Sequence, residues 1–210
     1  MKSIILLSGG LDSTVCLKKA IDDKSIVFVL TFDYGQKAAL REIEAAKKIC
    51  SIYNVSHKII SLPFLTDLGD SVLTSKKEKV CYDNSVVTDV KPLWVPNRNG
   101  LFVNIGACFA EALGYDNVIA GFNIEEAHLF PDNSENYIKA ANQALEYSTL
   151  SKVRLISYTS SLTKKEIVAL GKKIDAPIEI SWSCYEGAEE PCGKCPSCIA
   201  ALSALAELKQ

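Results

Sequence analysis

The chain has 210 residues, a net charge of −2, and 48% hydrophobic against 23% charged residues, which is the composition of an ordinary globular protein and not of a disordered one. Without a basic excess, a dedicated nucleic-acid-binding protein is not expected. The longest apolar runs, such as Ile4–Leu7, are far shorter than the ~20 residues that a membrane-spanning helix needs, and Asp12 follows too soon for a signal peptide, so we expect a cytoplasmic protein.

The first 61 residues alternate short apolar runs with segments of helical periodicity. We predict strands over Ser3–Leu7, Ile26–Phe32 and His57–Ser61, with helices over Ser13–Asp22 and Gln36–Tyr53 between them. Strands that are apolar on both faces are typical of a parallel sheet, since the connecting helices cover it from two sides. In the second helix, one face is predicted to be buried and carries Ala39, Leu40, Ile43, Ala46 and Ile49.

Residues 63–98 interrupt this alternation with three prolines and the charge run Lys76–Lys79, and we predict a long insertion there. The regular pattern then resumes with two strands, Asn117–Phe122 and Val153–Ser157. It also predicts four helices, over Asn99–Leu113, Glu135–Tyr147, Lys164–Lys173 and Ile199–Leu208. We therefore expect an α/β fold in which a doubly wound, five-stranded parallel sheet occupies residues 1–180, followed by a C-terminal extension over 181–210.

A glycine-rich loop, Ser8-Gly9-Gly10-Leu11-Asp12-Ser13, lies between the first predicted strand and the first predicted helix. At such a junction the backbone N–H groups and the helix dipole favour a bound anion, and the glycines let the main chain approach it closely. The hydroxyls of Ser8, Ser13 and Thr14 can add donors. Asp12 would repel a phosphate unless a cation lay between them, so we predict that it contacts Mg²⁺. A plain turn is the structural alternative, while the Walker loop and the dinucleotide-binding pattern are absent from the sequence.

Four of the eight cysteines fall within the last 27 residues, at Cys184, Cys192, Cys195 and Cys198. Disulfides are not expected in a reducing cytoplasm, so this clustering indicates a metal or redox chemistry. Four thiolates form the preferred shell of structural zinc, a closed site without a catalytic position, and we predict Zn²⁺ there. An iron–sulfur cluster and a redox-active pair of Cys192 and Cys195 are the alternatives.

Five further segments add to these two motifs, at Phe32–Gln36, Val95–Asn99, Thr163–Lys164, Ser181–Tyr185 and Pro191–Cys198. The glycine loop resembles the Ser-Gly-Gly-x-Asp-Ser signature of the PP-loop ATP pyrophosphatases. Together with the cysteine cluster and the five segments, it resembles one branch of them, the QueC family of 7-cyano-7-deazaguanine synthases. The resemblance runs over most of the chain and implies the fold of the adenine nucleotide alpha hydrolases.

The resemblance implies an ATP-dependent carbon–nitrogen ligase of queuosine precursor biosynthesis. Such an enzyme converts 7-carboxy-7-deazaguanine and ammonia to 7-cyano-7-deazaguanine through an adenylated intermediate. The resemblance further implies ATP, Mg²⁺ and structural Zn²⁺ as cofactors, a small-molecule substrate, a homodimer in the cytoplasm, and neither nucleic acid nor a membrane as a partner.

The resemblance also implies roles for individual residues. Catalytic roles fall on Asp12, Ser13, Arg98 and Lys164, and plain surface positions are the alternatives for the last two. Contacts to ATP are implied for Leu7, Ser8, Gly9, Gly10, Leu11, Asp12, Ser13, Thr14, Phe32, Gln36 and Gly121. Contacts to the substrate are implied for Asp33, Tyr34, Asn99, Asn123 and Asp132. Metal ligation is implied for the four clustered cysteines.

Three positions depart from the QueC pattern. Asn133 and Ser134 stand where the family has Cys-Arg, and Ala200 stands where it has an arginine. These departures motivate an alternative function, that of a QueC-like paralogue which activates a related carboxylate for a different amine. A tRNA-thiolating PP-loop enzyme that uses Cys192 and Cys195 in sulfur transfer is a further alternative. So is a nucleotide-binding scaffold protein without enzymatic activity.

Overall fold

The computed structural model describes residues 1–75, 77–78, 80 and 89–207. Part of the predicted insertion, including Lys76 and Lys79, lies outside the described residues, as does Leu208 at the end of the last predicted helix. Within the described ranges, no helix is long and apolar enough to cross a membrane.

Five strands in the described residues form one parallel sheet. They are β1 Lys2–Leu6, β2 Ile26–Asp33, β3 Ser56–Ser61, β4 Asn117–Ala120 and β5 Arg154–Ile156. Their order across the sheet is β3-β2-β1-β4-β5, with β1 in the centre. Ile5 of β1 accordingly pairs with Val29 of β2 on one side and with Ile119 of β4 on the other. The predicted five-stranded parallel sheet is confirmed.

Seven α-helices accompany the sheet in the part of the chain that the structure describes. They are α1 Leu11–Asp22, α2 Ala39–Ile52, α3 Arg98–Leu113, α4 Ile124–Ala127, α5 Glu135–Ser148, α6 Lys164–Lys173 and α7 Pro196–Glu207. The single-turn helix α4 has no counterpart in the sequence prediction, because four residues are too few to show a helical period.

Helices cover both faces of the sheet. On one face, Ile4 of β1 belongs to a buried cluster that contains Ala107 of α3. On the other face, Ile5 lies in a buried cluster with Leu17 of α1 and Ala46 of α2. Ile4 and Ile5 are neighbours on the central strand and both are fully buried, as a doubly wound sheet requires.

The predicted buried face of α2 is wrong at its first turn. Leu40 is 77% exposed, whereas the buried side chains of this helix are those of Ala45, Ala46, Ile49 and Cys50. The helix begins at Ala39 and not at Gln36, because the chain first turns at Gly35. Gly35 has a φ of +79°, in the left-handed region that favours glycine.

The described part of the insertion packs on the core. Leu73, Leu93 and Val95 are all buried in the cluster on the α3 side of the sheet. Two of its segments are joined by a hydrogen bond from the backbone N–H of Val72 to the carbonyl oxygen of Pro92, at 2.8 Å. The insertion therefore covers one edge of the molecule near the start of α3.

The C-terminal helix returns to the body of the protein. Ala204 of α7 lies in a buried cluster with Leu11 and Val15 of α1 and Ile167 of α6. This packing joins the end of the chain to the helix that follows the glycine loop. The division into a domain over 1–180 and an extension over 181–210 stays a prediction.

The strand order creates a switch point at the carboxyl ends of β1 and β4. The chain proceeds from β1 to β3 on one side of the sheet and from β4 to β5 on the other. The loops that follow β1 and β4 therefore leave the sheet in opposite directions and open a crevice between them. In open α/β sheets, ligands bind in such a crevice.

Candidate active site

A cavity lies in this crevice, at the carboxyl ends of β1, β2 and β4. The glycine loop after β1 forms one part of its wall, and the first residues of α3 and α6 form others. The structure brings thirteen of the predicted site residues to this wall. They are Leu7, Ser8, Gly10, Leu11, Asp12, Ser13, Phe32, Tyr34, Gln36, Arg98, Asn99, Gly121 and Lys164.

The glycine loop turns sharply between β1 and α1. Gly9 has a φ of +82°, and a Cβ there would lie 2.4 Å from the carbonyl oxygen of Glu42, so a larger residue does not fit. Gly10 is the N-cap of α1, and because glycine has no side chain to accept a hydrogen bond, the first N–H groups of the helix have no side-chain cap. Ser8 Oγ and Ser13 Oγ lie 3.1 Å apart in the same loop. The loop therefore combines N–H and hydroxyl donors, as an anion site requires.

Gly121, directly after β4, touches the start of α1. A Cβ at this position would lie 2.6 Å from the backbone nitrogen of Ser13 and 2.8 Å from the carbonyl carbon of Asp12. Glycine is therefore the residue that lets the loop after β4 approach the glycine loop. Gly121 lines the cavity, and its contact with ATP stays a prediction.

Two predicted ATP contacts lie behind the loop instead of on the cavity wall. Gly9 faces α2, as its contact with Glu42 shows. Thr14 is fully buried and donates its hydroxyl to the carbonyl oxygen of Gly10 at 2.7 Å. Both residues thus shape the loop that presents the other donors.

Asp12, in the first turn of α1, lies at the centre of a charged network. Lys164 Nζ lies 2.9 and 2.7 Å from the two carboxylate oxygens of Asp12. The same ammonium lies 3.3 Å from Oε1 of Glu126 on α4. Asn123, the N-cap of α4, donates its side-chain amide to Asp12 Oδ2 at 2.7 Å. Three helices thereby meet at one ammonium group.

The start of α6 is fixed where this network needs it. Thr163 and Glu166 form a capping box, in which each side chain accepts a hydrogen bond from the other residue's backbone N–H. Lys164 is the first residue of the helix that this box begins. The cap therefore determines where the Lys164 side chain leaves the backbone.

Burial and neighbouring charge act against each other in the network. Burial raises the pKa of the Asp12 carboxyl, and the Lys164 ammonium opposes this shift. Burial lowers the pKa of Lys164, but Asp12 and Glu126 outweigh it and hold that pKa above its ordinary value. Lys164 is therefore a charged counter-ion shared by two carboxylates.

Arg98 begins α3 on another side of the cavity. Its Nη1 donates to the hydroxyl of Tyr34 at 3.2 Å, and its guanidinium carbon lies 5.7 Å from the centre of the Tyr34 ring. Burial lowers the pKa of Arg98, but Tyr34, Tyr185 and Asp132 outweigh it, so the pKa stays above its usual range. A guanidinium that keeps its charge inside a cavity can bind a carboxylate or a phosphate of a ligand.

Gln36 uses its amide within the protein. Its oxygen accepts from the Tyr34 N–H at 2.9 Å, while its nitrogen donates to the Phe32 carbonyl at 3.1 Å. The nitrogen also donates to Oε2 of Glu42 at 2.8 Å. Glu42 lines the cavity, although the sequence analysis did not single it out. Acidic residues are common in the first turn of a helix, because the helix dipole favours them there. The position of Glu42 in the sequence therefore does not indicate a functional role.

Three predicted substrate contacts do not line the cavity within the described residues. Asp33 accepts from the N–H of Gly35 at 3.1 Å, and Asp132 accepts from the amide of Asn133 at 3.1 Å. Asn123 supports Asp12 from behind. Asn133, one of the departures from the QueC pattern, does line the cavity.

The segment before the cysteine cluster forms a further wall of the cavity. Trp182, Ser183 and Tyr185 line it, and the backbone N–H of Trp182 donates to the carbonyl oxygen of Gly9 at 2.8 Å. A Cβ on Gly187 would lie 2.2 Å from the carbonyl oxygen of Lys37, so the chain here lies directly against the residues before α2. No local pattern in the sequence places this segment beside the glycine loop.

The four clustered cysteines meet in space, with their sulfur atoms all within 4.8 Å of one another. Backbone N–H groups of Cys192, Cys195 and Cys198 donate to these sulfurs at 3.3, 3.3 and 3.4 Å. Burial raises the pKa of Cys192, but the N–H groups of Lys194 and Cys195 outweigh it and lower that pKa to about 7. A tetrahedral ion with bonds of about 2.3 Å needs sulfur–sulfur edges of roughly 3.8 Å, so the cluster can hold a metal ion.

Known proteins resemble this chain over nearly its whole length. The sequence model of a family described as queuosine biosynthesis protein QueC matches residues 2–209. A 7-cyano-7-deazaguanine synthase of Desulforudis audaxviator is 50% identical over 94% of this chain and 93% of its own length. Another, of Pelotomaculum thermopropionicum, is 47% identical over 95% of this chain and 94% of its own length.

A solved structure of another protein shares the fold. A 4-thiouridine synthetase, solved as an RNA complex with bound ATP, matches with a TM-score of 0.55. It is 22% identical and covers 100% of this chain and 50% of that chain. At this identity the likeness shows the fold alone.

Replacing Lys164 by methionine removes the counter-ion of Asp12 and Glu126. Removing one partner of a buried ion pair costs about 3–5 kcal/mol, so we expect Lys164→Met to lower the free energy of unfolding by this order in urea at pH 7. Exposed Lys173 of the same helix is the control, and Lys173→Met should change the free energy of unfolding by less than ~1 kcal/mol.

A double variant, Asp12→Asn with Lys164→Met, should recover about half or more of the free energy of unfolding that Lys164→Met loses, because it leaves only Glu126 without its counter-ion. The deficit of Lys164→Met should also shrink as the pH falls. Without Lys164 the folded-state pKa of Asp12 rises further above its unfolded value, and a raised folded pKa favours the folded state at low pH. Equal losses in the single and double variants would contradict the ion pair.

Proposed function

We propose, because the chain belongs to the QueC family of queuosine biosynthesis proteins, that it is an ATP-dependent ligase which converts 7-carboxy-7-deazaguanine and ammonia to 7-cyano-7-deazaguanine. The observation that carries this proposal is its identity of 50% and 47% to proteins named 7-cyano-7-deazaguanine synthase, over more than nine tenths of the chain. The family resemblance that the motifs indicated is thereby confirmed.

The glycine loop is suited to the phosphates of ATP. The uncapped N–H groups of α1 and the hydroxyls of Ser8 and Ser13 offer donors to phosphate oxygens. Lys164 Nζ is within reach of the same place, since it contacts Asp12 at the start of α1. In the proposed complex Lys164 turns from Asp12 to a phosphate oxygen. Asp12 and Glu126 would then hold Mg²⁺, which when bound neutralises phosphate charge.

A carboxylate oxygen is a poor leaving group and AMP is a good one, so the proposed reaction begins by converting the substrate carboxylate to an adenylate. A carboxylate oxygen of the substrate attacks the α-phosphorus of ATP, and the bond from that phosphorus to pyrophosphate breaks. Ammonia then attacks the acyl carbon of the adenylate, and AMP leaves with the electron pair of the carbon–oxygen bond, which gives the amide. The amide oxygen then attacks the α-phosphorus of a second ATP and displaces pyrophosphate. Loss of both amide protons, with departure of AMP as the carbon–oxygen bond breaks, gives the nitrile.

Arg98 and the loop donors are preorganised for these steps. The charge that develops on the α-phosphate is stabilised by donors that are already in place, which lowers the cost of reorganisation. Arg98 keeps its charge inside the cavity and offers the substrate carboxylate a partner. Ser13 and Asp12 complete the proposed catalytic set at the start of α1.

The cysteine cluster completes the proposal as a structural Zn²⁺ site. Four thiolates close a tetrahedral shell and leave no position for a substrate. The bound ion therefore contributes to the folding of the segment that carries Trp182 and Tyr185 to the cavity.

The proposal includes a cytoplasmic homodimer. Exposed apolar side chains on α7 support a contact between two chains, at Ile199, Leu202 and Leu205. Light scattering of the metal-replete protein at micromolar concentration should give twice the mass of one chain. The mass of a single chain would rule the homodimer out.

Removal of one thiolate should release the metal. Metal analysis of the wild type is expected to give one zinc ion per chain, and Cys198→Ser should lower this content and the thermal midpoint. A loss of several kcal/mol corresponds to roughly 10 °C, at about 2–4 °C per kcal/mol for a chain of this size. Exposed Cys108 provides the control, since Cys108→Ser should retain the metal. Iron in place of zinc, or full metal content in Cys198→Ser, would contradict the site.

Mass spectrometry of the reaction tests the function itself. Metal-replete protein with Mg²⁺, ATP, ¹⁵N-ammonium and 7-carboxy-7-deazaguanine should yield the nitrile carrying the ¹⁵N label. Asp12→Asn should slow its formation by about 100-fold or more, whereas exposed Asp70→Asn should not.

Asn133 supports an alternative function, that of a QueC-like paralogue which joins a related carboxylate to a different amine. This residue departs from the family pattern and lines the cavity. An amide that forms only with another amine would favour the QueC-like paralogue. No consumption of ATP with this substrate would contradict the proposed function.

A further inference from the structure

Glu42 places a second carboxyl group in the cavity, away from the Asp12 network. It lies in the first turn of α2 and lines the cavity wall. Its Oε2 accepts a hydrogen bond from Gln36 Nε2 at 2.8 Å. Among the described residues this is the one hydrogen bond to the Glu42 carboxyl, and none of the ion pairs found among them includes it. The carboxylate therefore has unused acceptor positions, at Oε1 above all.

The chain holds this carboxyl in a fixed orientation. Gln36, its partner, is buried and is held in turn by the carbonyl oxygen of Phe32 and the N–H of Tyr34. Burial raises the pKa of Glu42, and Gln36 and Arg98 oppose this shift. Arg98 itself donates to Tyr34 and Asn99 instead. The structure thus maintains a half-buried acidic group and leaves its remaining acceptor capacity without a donor among the described residues.

Flat aromatic surfaces share the cavity wall with Glu42. The rings of Phe32 and Phe102 are stacked, with centroids 4.0 Å apart and an interplanar angle of 7°. The ring of Tyr34 lies 5.6 Å from that of Phe102. All three residues line the cavity. An aromatic wall beside a fixed acceptor group suits a planar base that presents N–H donors at its edge.

The donor pattern decides which base fits. A guanine-type ring carries two adjacent donors, the N1–H and the 2-amino group, and a carboxylate can accept both. Adenine carries an acceptor at N1 beside a single amino donor, which a carboxylate matches less well. Two charge-assisted hydrogen bonds are stronger than neutral ones. A site built to accept an N–H also discriminates strongly against an analogue that lacks it, because its buried group is then left unpaired.

We propose that Glu42 is the specificity-determining residue for the deazaguanine base, whose N1–H and 2-amino group it accepts, with Gln36 as its positioning residue. This inference rests on the proposed function and identifies the residue that recognises the base of the substrate. Phe32 and Phe102 bound the same part of the cavity.

The test compares 7-carboxy-7-deazaguanine with the analogue that lacks the 2-amino group. For the metal-replete wild type, kcat/KM for the full substrate should exceed that for the analogue by about 100-fold or more. In Glu42→Gln, kcat/KM for 7-carboxy-7-deazaguanine should fall by about 100-fold. The ratio of kcat/KM between this substrate and the analogue should decrease to less than about 10. The KM for ATP should change by less than twofold. Glu44→Gln on the same helix is the control, since the Glu44 side chain is 55% exposed, and it should behave as the wild type.

Calorimetric titration of the base into protein without nucleotide gives a second readout that does not need turnover. The same preference should appear in Kd for the wild type and disappear in Glu42→Gln. A wild type that binds both bases equally overturns the inference without any variant. The inference is also overturned if Glu42→Gln keeps the preference for the base that carries the 2-amino group, or if this variant loses ATP binding instead. A wild type that forms no nitrile overturns the proposed function, whereas nitrile formation with an unchanged preference in Glu42→Gln overturns only the role of Glu42.

Discussion

The ion pair between Lys164 and Asp12 connects parts of the chain that are 152 residues apart in sequence. Asp12 is placed in the first turn of α1, where a carboxylate is favoured by the helix dipole but would repel the phosphates that the same helix end attracts. Lys164 resolves this conflict, because its ammonium neutralises Asp12 and Glu126 together. Bound phosphates offer this ammonium a competing partner. The pair therefore neutralises these carboxylates in the folded state without ligand, and in the proposed function the same ammonium supplies a cation for the nucleotide.

The glycine loop is held from a second direction by the C-terminal segment. The hydrogen bond from Trp182 to Gly9 joins this segment to the loop, and the Arg41 guanidinium carbon lies 5.8 Å from the centre of the Trp182 ring. Cys184 follows two residues later and belongs to the cluster of four cysteines that could hold a metal ion. An ion at the four cysteines would thus stabilise a wall of the cavity, although it contacts no substrate. The cysteine cluster and this wall of the cavity are therefore connected by only a few residues of chain.

The features that the sequence predicts well are local ones. The apolar runs of β1 and β2, the glycine loop and the cysteine spacing each lie within a short segment, and the family motifs are equally compact. Leu40 was misplaced because helical periodicity shows that a helix has an apolar side but not where the helix begins, and the turn at Gly35 moves that start. The sequence does not single out Glu42, and it includes Trp182 only within the family segment Ser181–Tyr185, for a different reason. Their place in the cavity arises from packing between α2, the glycine loop and the C-terminal segment, which no local pattern encodes.

The central claim is that Lys164 exchanges Asp12 for a phosphate when ATP binds. A crystal structure of the metal-replete protein with Mg²⁺ and a non-hydrolysable ATP analogue measures this directly. The account predicts Lys164 Nζ within about 3.2 Å of a phosphate oxygen and beyond hydrogen-bond distance of Asp12. Phosphates bound elsewhere, with Lys164 still paired to both carboxylate oxygens of Asp12, would contradict it.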